Sequence, residues 1–209
     1  MVHGLSDTPR IPFLRRLSGV TSGVRMMIRT HHLLTERLEM RMFRESDALP
    51  AYRNWMSDPD VTHFTSWETH RSPEESLAII RTWIAEYPLG SIDWCITLRG
   101  SDEPIGGISV VQHHPEKGYC EIGYVLSQRY WDRGYMTEAL KAAVNFIFDH
   151  TDYEWIQARH DTENVASGRC MEKCNFRELG FRDLPDPKTG RIRTYRFMGI
   201  TRRDVFIMP

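Results

Sequence analysis

The stretch that decides the fold runs from Glu121 to Leu140 and reads Glu-Ile-Gly-Tyr-Val-Leu-Ser-Gln-Arg-Tyr-Trp-Asp-Arg-Gly-Tyr-Met-Thr-Glu-Ala-Leu. Its first residues belong to an apolar run over 118–126 that is typical of a buried β-strand. A short polar loop with one glycine, Gly134, follows. Apolar residues at helical spacing then predict an amphipathic helix over 133–149. A strand, a loop and a helix are therefore expected in direct succession.

This strand–loop–helix junction is suited to bind an anion. The first N–H groups of a helix have no partner within the helix, and they carry a partial positive charge that favours phosphate. Arg129 and Arg133 add positive charge, and Gly134 lets the backbone approach a ligand closely. The loop matches neither G-x-x-x-x-G-K-[ST] nor G-x-G-x-x-G. From the residues alone, the junction is either a pyrophosphate site or a structural loop.

The flanking sequence predicts one mixed domain. The order of predicted elements is β-α-α-β-β-β-α-β-α-β-β, and short turns between successive strands indicate antiparallel pairing. We therefore predict an α+β (mixed α/β) fold. The other predicted strands lie near 38–43, 92–98, 104–112, 155–160, 176–182 and 191–200, and the other helices near 46–55, 73–87 and 164–174.

Composition excludes several classes of protein. The 209 residues carry 27 basic and 28 acidic side chains, and this balance gives no general attraction to nucleic acid or to anionic membranes. No apolar run is long enough to span a bilayer. Four scattered cysteines do not make a disulfide scaffold, and Cys170 and Cys174 are interpreted as core residues, so no metal site is predicted. These features favour a cytoplasmic protein.

The charge is unevenly distributed along the chain. Residues 1–32 contain five arginines and only one acidic residue, Asp7, which leaves an acidic remainder. Pro9 and Pro12 interrupt any early helix, although the arginine-rich composition resembles that of transit peptides. We predict that 1–32 is a flexible basic extension and that 33–209 is a single domain.

Several separated motifs make the chain resemble the GNAT acetyltransferase superfamily. The matching segments are Leu34–Leu38, Glu121–Leu126, Trp131–Ala139, Glu163–Ser167 and Glu172–Phe176. The resemblance covers about 33–201 and is strongest to the Rim-type branch, which acetylates the N-terminal amines of ribosomal proteins.

The resemblance implies a mostly antiparallel central sheet, flanked by helices, that is splayed between the strands at 118–126 and 155–160. Acetyl-CoA would act as co-substrate with its pantetheine arm in that splay, and Asn164 would reach it from the following helix. The pyrophosphate would bind backbone amides at the junction described above. The implied cofactor-binding residues are Tyr124, Val125, Leu126, Trp131, Asp132, Arg133, Gly134, Tyr135, Met136, Thr137 and Asn164.

The sequence also departs from the family pattern. The phosphate loop of the family usually reads Q/R-x-x-G-x-G/A, whereas this chain has Trp131 at the first position and Met136 at the last. Asp132 replaces a common glycine, and its carboxylate is unfavourable beside a pyrophosphate unless it points away. Asn175 also replaces a glycine, after a helix end where a left-handed residue is expected and Asn is well tolerated.

The catalytic assignments also follow from the resemblance. Glu121 matches the glutamate that acts as base in some branches, directly or through water; the alternative is a structural carboxylate. The amide of Val125 or Leu126 would stabilise the oxyanion. The usual tyrosine acid is replaced by Met171, so Ser167 is the expected acid unless it only bonds its own helix. His160 is a minor base candidate, and His113 and His114 are expected in an exposed turn.

We therefore predict an N-acetyltransferase that transfers acetyl from acetyl-CoA directly to a primary amine in a ternary complex. A protein N-terminal amine is one acceptor class. A small-molecule amine (a polyamine, an amino acid or an aminoglycoside) and a non-catalytic acyl-CoA-binding module remain open, as does a homodimer.

Overall fold

A computed structural model describes residues 30–204, so nearly all of the predicted extension over 1–32 lies outside the described residues. The strands are β1 (Leu33–Leu34), β2 (Leu38–Arg41), β3 (Asp93–Leu98), β4 (Pro104–His114), β5 (Tyr119–Leu126), β6 (Trp155–Asp161), β7 (Arg177–Pro185) and β8 (Ile192–Thr201). The helices are α1 (Ala48–Ala51), α2 (Pro59–Thr62), α3 (Pro73–Glu86), α4 (Tyr135–His150) and α5 (Val165–Lys173). The predicted mixed α/β architecture is confirmed.

The strands of the described chain form one open sheet in the order β1-β2-β3-β4-β5-β6-β8-β7. All neighbouring strands are antiparallel except β5 and β6, which are parallel. These two pair only from Tyr119 opposite Trp155 to Glu121 opposite Gln157. Beyond that point both strands continue without pairing to each other, so the predicted splay is confirmed.

The helices divide between the two faces of the sheet. α4 and α5 cover one face over a continuous core in which Trp94, Ile108, Leu140 and Ile156 are fully buried. On the other face, a second cluster around Trp55 extends across the strands only as far as Val125 of β5. This second cluster packs the segment from α1 to α3 against the sheet, and it does not include residues of the strands after β5.

Local chemistry explains where α3 begins and where α5 ends. Ser72 caps α3 by accepting a hydrogen bond from the N–H of Glu75, and Pro73 occupies the first helical position, as predicted. Asn175 has φ +60° after α5, which confirms the expected left-handed residue.

Two sequence expectations were wrong in detail. The helix expected up to Trp55 is α1 followed by one turn of π-helix, Tyr52–Met56, because the backbone widens by one residue there. His113 and His114 lie at the end of β4 rather than in an exposed turn, because the ladder with β5 continues to Tyr119; the ring of His114 stacks on that tyrosine.

Among the described helices, none is long and apolar enough to cross a membrane. Within 30–204, no group of His, Cys, Asp and Glu side chains is arranged to hold a metal ion.

Candidate active site

The opening between β5 and β6 exposes one edge of β5. Ser127, just after β5, donates its N–H to the carbonyl of Ile105 at 2.8 Å. Because hydrogen-bonding direction alternates along an antiparallel pair, the peptide groups of Val125 turn towards β4 and those of Tyr124 and Leu126 turn towards the opening. Of the three residues predicted to pair with a cofactor, Tyr124 and Leu126 therefore present their backbone to the opening.

Trp131 contacts the exposed edge of β5 at the C-terminal end of the strand. Its indole N–H donates to the carbonyl oxygen of Leu126 at 2.8 Å, so that carbonyl already has a partner. Trp131 is nevertheless 40 % exposed. The loop is thereby tied to the strand, and the N–H of Leu126 is the donor directed towards the opening at this end.

The loop then delivers its backbone to the start of α4. Gly134 caps the helix with φ +77°, a left-handed conformation that L-residues rarely adopt. Asp132 is also left-handed, with φ +57°, and its side chain is exposed. No ion pair joins it to Arg129 or Arg133 in the described structure. The side chain of Met136 is buried in the core, so only its backbone can face a ligand.

Arg37 and Glu138 hold this helix start in place, and neither was found by sequence analysis. Glu138, in the first turn of α4, accepts hydrogen bonds from Thr35 Oγ1 (2.5 Å), Arg37 N (2.8 Å) and Arg37 Nε (2.7 Å). The Arg37 guanidinium also donates to the carbonyl of Arg133 at 2.9 Å and lies over the ring of Tyr135. Burial alone would raise the pKa of Glu138, but these donors and the Arg37 charge lower it overall.

On the α4/α5 face, Tyr124 and Ser167 form a hydroxyl pair. The Tyr124 hydroxyl lies 2.9 Å from Ser167 Oγ and donates to the Ser167 carbonyl at 3.1 Å. Burial raises the pKa of Tyr124 well above its usual range, so its hydroxyl is a proton donor at neutral pH. Asn164 caps α5 by accepting a hydrogen bond from the Ser167 N–H at 3.1 Å. The cap orients the turn that carries Ser167.

Two cysteines hold α5 against the first turn of α4. Cys174 donates its thiol to the carbonyl of Thr137, and the Cys170 sulfur lies 3.7 Å from the Thr137 hydroxyl. Both thiols therefore support the junction between the two helices.

Glu121 lies on the opposite face of the sheet, at the last paired position before the strands separate. Its side chain is buried, and its two oxygens have different partners. Gln157 donates an amide N–H to Oε2 at 2.8 Å, and Arg159 Nε lies 3.2 Å from Oε1. Sequence analysis missed both partners, although all three residues alternate onto one face in the observed register.

The β7–β8 connection borders the same face. Arg193 contacts the buried carboxylates of Asp161 (2.7 Å) and Asp186 (3.1 Å). Lys188, near the tip, donates to backbone carbonyls of Thr62 and His63 at 2.7 and 3.0 Å. The connection is therefore anchored both to β6 and to the end of α2.

His160 is separated from Glu121 by the sheet. Its ring packs under α5 against Gly168, and its Nδ1 lies 2.8 Å from the Asp161 carbonyl. His160 lies two residues after Ala158 on β6, so both side chains are on the same face of the sheet. Ala158 belongs to the core under α4 and α5. The structure thus places this minor base candidate apart from Glu121.

Known proteins resemble this chain in sequence and in fold. The profile of the acetyltransferase (GNAT) domain family matches residues 37–177. An uncharacterised N-acetyltransferase of Bacillus licheniformis, p20, is 28 % identical over 174 residues, which cover 81 % of this chain and 96 % of the relative.

Two solved structures illustrate the shared fold. An acetyltransferase of the GNAT family from Bacillus anthracis superimposes with a TM-score of 0.72 at 24 % identity, covering 82 % of this chain and 98 % of that one. RimL, a ribosomal L7/L12 α-N-protein acetyltransferase in complex with coenzyme A, superimposes with a TM-score of 0.71 at 18 % identity, covering 80 % and 95 %.

Proposed function

This chain belongs to the GNAT acetyltransferase family, and from that premise we propose that it transfers acetyl from acetyl-CoA directly to a primary amine in a ternary complex. A protein N-terminal amine is the favoured acceptor class, because RimL, which shares the fold, is named for acetylating one. The observation that carries the proposal is the opening between β5 and β6, which ends beside the N-terminus of α4.

The residues around the opening fit acetyl-CoA chemically. An unpaired strand edge can take hydrogen-bond partners, and the peptide groups of Tyr124 can bond an amide of a pantetheine arm, while the Leu126 carbonyl is already bonded to Trp131. The amides that open α4, from Trp131 to Thr137, favour a pyrophosphate. Asn164 lies at the start of α5 and is the further predicted contact. In this proposal Arg37 and Glu138 position the phosphate-binding backbone without touching the ligand.

Bound acetyl-CoA would supply the activated acyl group and a thiolate leaving group. Before attack the acceptor amine must lose its proton, and Glu121 is the proposed base. Its Oε2 already accepts a hydrogen bond from Gln157, and its Oε1 forms an ion pair with Arg159, but a carboxylate has about four acceptor sites and keeps capacity for an amine or a bridging water. Its position at the last paired residue places it where the opening begins.

Two groups are proposed to stabilise the charges that develop on the thioester oxygen and on the leaving thiolate. The Leu126 N–H, directed towards the opening, is the proposed donor to the developing oxyanion. Ser167 is the proposed proton donor to the leaving thiolate, and Tyr124 orients its hydroxyl. Base and acid thus belong to opposite faces of the sheet, with the opening between them.

The test measures thiol release from acetyl-CoA with a panel of primary amines and N-terminal peptides, using the full chain. Glu121→Gln should lower kcat about 100-fold or more, and Ser167→Ala about 10-fold. Glu116→Gln, an exposed carboxylate outside the opening, should retain wild-type activity. Binding of acetyl-CoA without turnover on any amine would reject the enzymatic proposal. Unchanged rates in both variants would reject the assigned roles.

A further inference from the structure

Arg159 is a positively charged residue beside the opening between β5 and β6. It lies on β6 two residues beyond Gln157, where β6 no longer pairs with β5, and it shares a face with Glu121. On its other side it pairs in register with Phe197 of β8. Arg159 therefore lies on the same side of the opening as Glu121. In the proposed function, the acceptor amine would approach Glu121 from this side.

The bonding of this guanidinium is incomplete within the described chain. A guanidinium has five N–H donors. The Nε of Arg159 faces Glu121, but its terminal nitrogens make no hydrogen bond to any of residues 30–204. The side chain is 35 % exposed, whereas its carboxylate partner is 7 % exposed. The negative charge is buried and the forked end of the cation faces outwards.

Aromatic rings support this outward orientation. The Arg159 guanidinium carbon lies 5.6 Å from the ring centre of Tyr195 and 5.9 Å from that of Phe197. A second guanidinium, that of Arg182, lies 4.5 Å from the ring centre of Phe197. Arg182 is exposed and has no ion-pair partner among the described residues. Two cations thus converge on one aromatic surface.

Besides Glu121, which pairs with Arg159, two further carboxylates lie nearby, and both are already paired with another arginine. Asp161 and Asp186 are buried, and both are occupied by Arg193. Backbone N–H groups occupy their other oxygens, from Glu163 onto Asp161 and from Lys188 onto Asp186. An exposed planar guanidinium held against aromatic rings is suited to bind a carboxylate through two parallel hydrogen bonds.

We propose that Arg159 recognises a carboxylate on the acceptor, so the acceptor is an amine with a carboxylate close to it. This proposal rests on the proposed function and names its substrate class. The width of one guanidinium group separates the proposed base from the outward nitrogens. The amine and the carboxylate of one residue, or of two adjacent residues, can therefore reach both groups together. Free amino acids and peptides with an acidic residue near the N-terminus share this chemistry.

The experiment compares acceptors of matched size that carry either a carboxylate or a carboxamide, and measures each pair in the wild type and in the variants, so that the difference in amine basicity within a pair cancels. Serine against serinamide tests an α-carboxylate, and Ser-Asp-Gly-Gly-amide against Ser-Asn-Gly-Gly-amide tests a side-chain carboxylate. For at least one pair, the wild type should prefer the carboxylate member about 10- to 100-fold in kcat/KM. Arg159→Gln should abolish this preference: because Arg159 also pairs with Glu121, both members lose activity, but the carboxylate member should lose about 10- to 100-fold more in kcat/KM than the neutral member. Arg177→Gln, an exposed arginine at the start of β7, should retain it.

Each other result overturns the proposal. A wild type without preference, or without turnover of any carboxylate-bearing member, contradicts it. So does a preference that survives in Arg159→Gln. Equal losses on both members would mean that Arg159 only positions Glu121, and Arg159→Lys, which keeps the charge but not the fork, would then restore both members equally. Calorimetry with acetyl-CoA on the same preparations separates the two proposals, because failure to bind acetyl-CoA at all would reject the proposed function itself.

Discussion

Replacing Glu138 with Gln should loosen the start of α4. The carboxylate accepts three hydrogen bonds, from Thr35 and from two nitrogens of Arg37. The amide of Gln keeps one acceptor oxygen, but its NH₂ group then faces the Arg37 Nε donor. A hydrogen bond to a charged group contributes about 1.5–3 kcal/mol. Because the Arg37 side chain is 43 % exposed, solvent screening reduces this.

We therefore expect a loss of about 1–2 kcal/mol in the free energy of unfolding, which for a chain of this size lowers Tm by about 3–6 °C. Glu36→Gln, which changes an exposed carboxylate next to Arg37 in sequence, is the matched control and should leave Tm unchanged. Thermal unfolding at pH 7 measures both. If the backbone proposed to bind the pyrophosphate depends on this contact, the KM for acetyl-CoA should rise in Glu138→Gln while kcat stays near that of the wild type.

The same variant gives a pH dependence with a defined sign. The net pKa of Glu138 is lowered in the folded protein, so its stabilisation is fully present above the unfolded pKa of about 4.3. It is lost as the pH falls through the lower, folded pKa, where a protonated Glu138 resembles Gln. The Tm difference between the wild type and Glu138→Gln should hold from pH 7 to about pH 5 and shrink at lower pH. Equal Tm values at pH 7, or a gap that does not narrow on acidification, would refute this account.

Three further substitutions test local claims. Asp132→Gly should raise the free energy of unfolding by about 0.5–1 kcal/mol in chemical denaturation, because glycine adopts the left-handed conformation without strain. It should also tighten CoA binding in calorimetry, because a negative charge near the start of α4 is lost. Weaker CoA binding would contradict this. Gly168→Ala should cost about 1–3 kcal/mol, since a Cβ would lie 2.8 Å from the His160 ring, and a wild-type Tm would show that the ring moves aside. Ser72→Ala should cost only about 0.5 kcal/mol, because the cap bond to Glu75 is long at 3.4 Å; a loss above 2 kcal/mol would mean that the cap does more than close the helix.

The segment from β5 to α4 shows how far sequence reasoning extends. Strand β5, the loop and α4 are consecutive, and their signals are local: apolar runs, Gly134 and a helical stripe. The left-handed residue at Asn175 was predictable for the same reason. The π-helical turn after α1 was not, because a single widened turn leaves the helical spacing of apolar residues nearly unchanged.

The contacts that support the site could not be derived in the same way. Arg37 and Glu138 are 101 residues apart, and Gln157 and Glu121 are 36 apart. No local pattern links a charged side chain to a partner on another element. The choice between the Val125 and Leu126 amides also depended on the register of β5 with β4, which alternates residue by residue.

The sequence by itself determined the mixed fold and the succession of β5, loop and α4, because both follow from the order of residues along the chain, and the splay between two strands was implied by the family resemblance. The tertiary structure decided which groups meet at that splay. It placed Glu121 on one face with Gln157 and Arg159, set Ser167 and Tyr124 on the other, and turned the Arg159 guanidinium outwards. The physical reason is that strand order and register choose which distant side chains share a face.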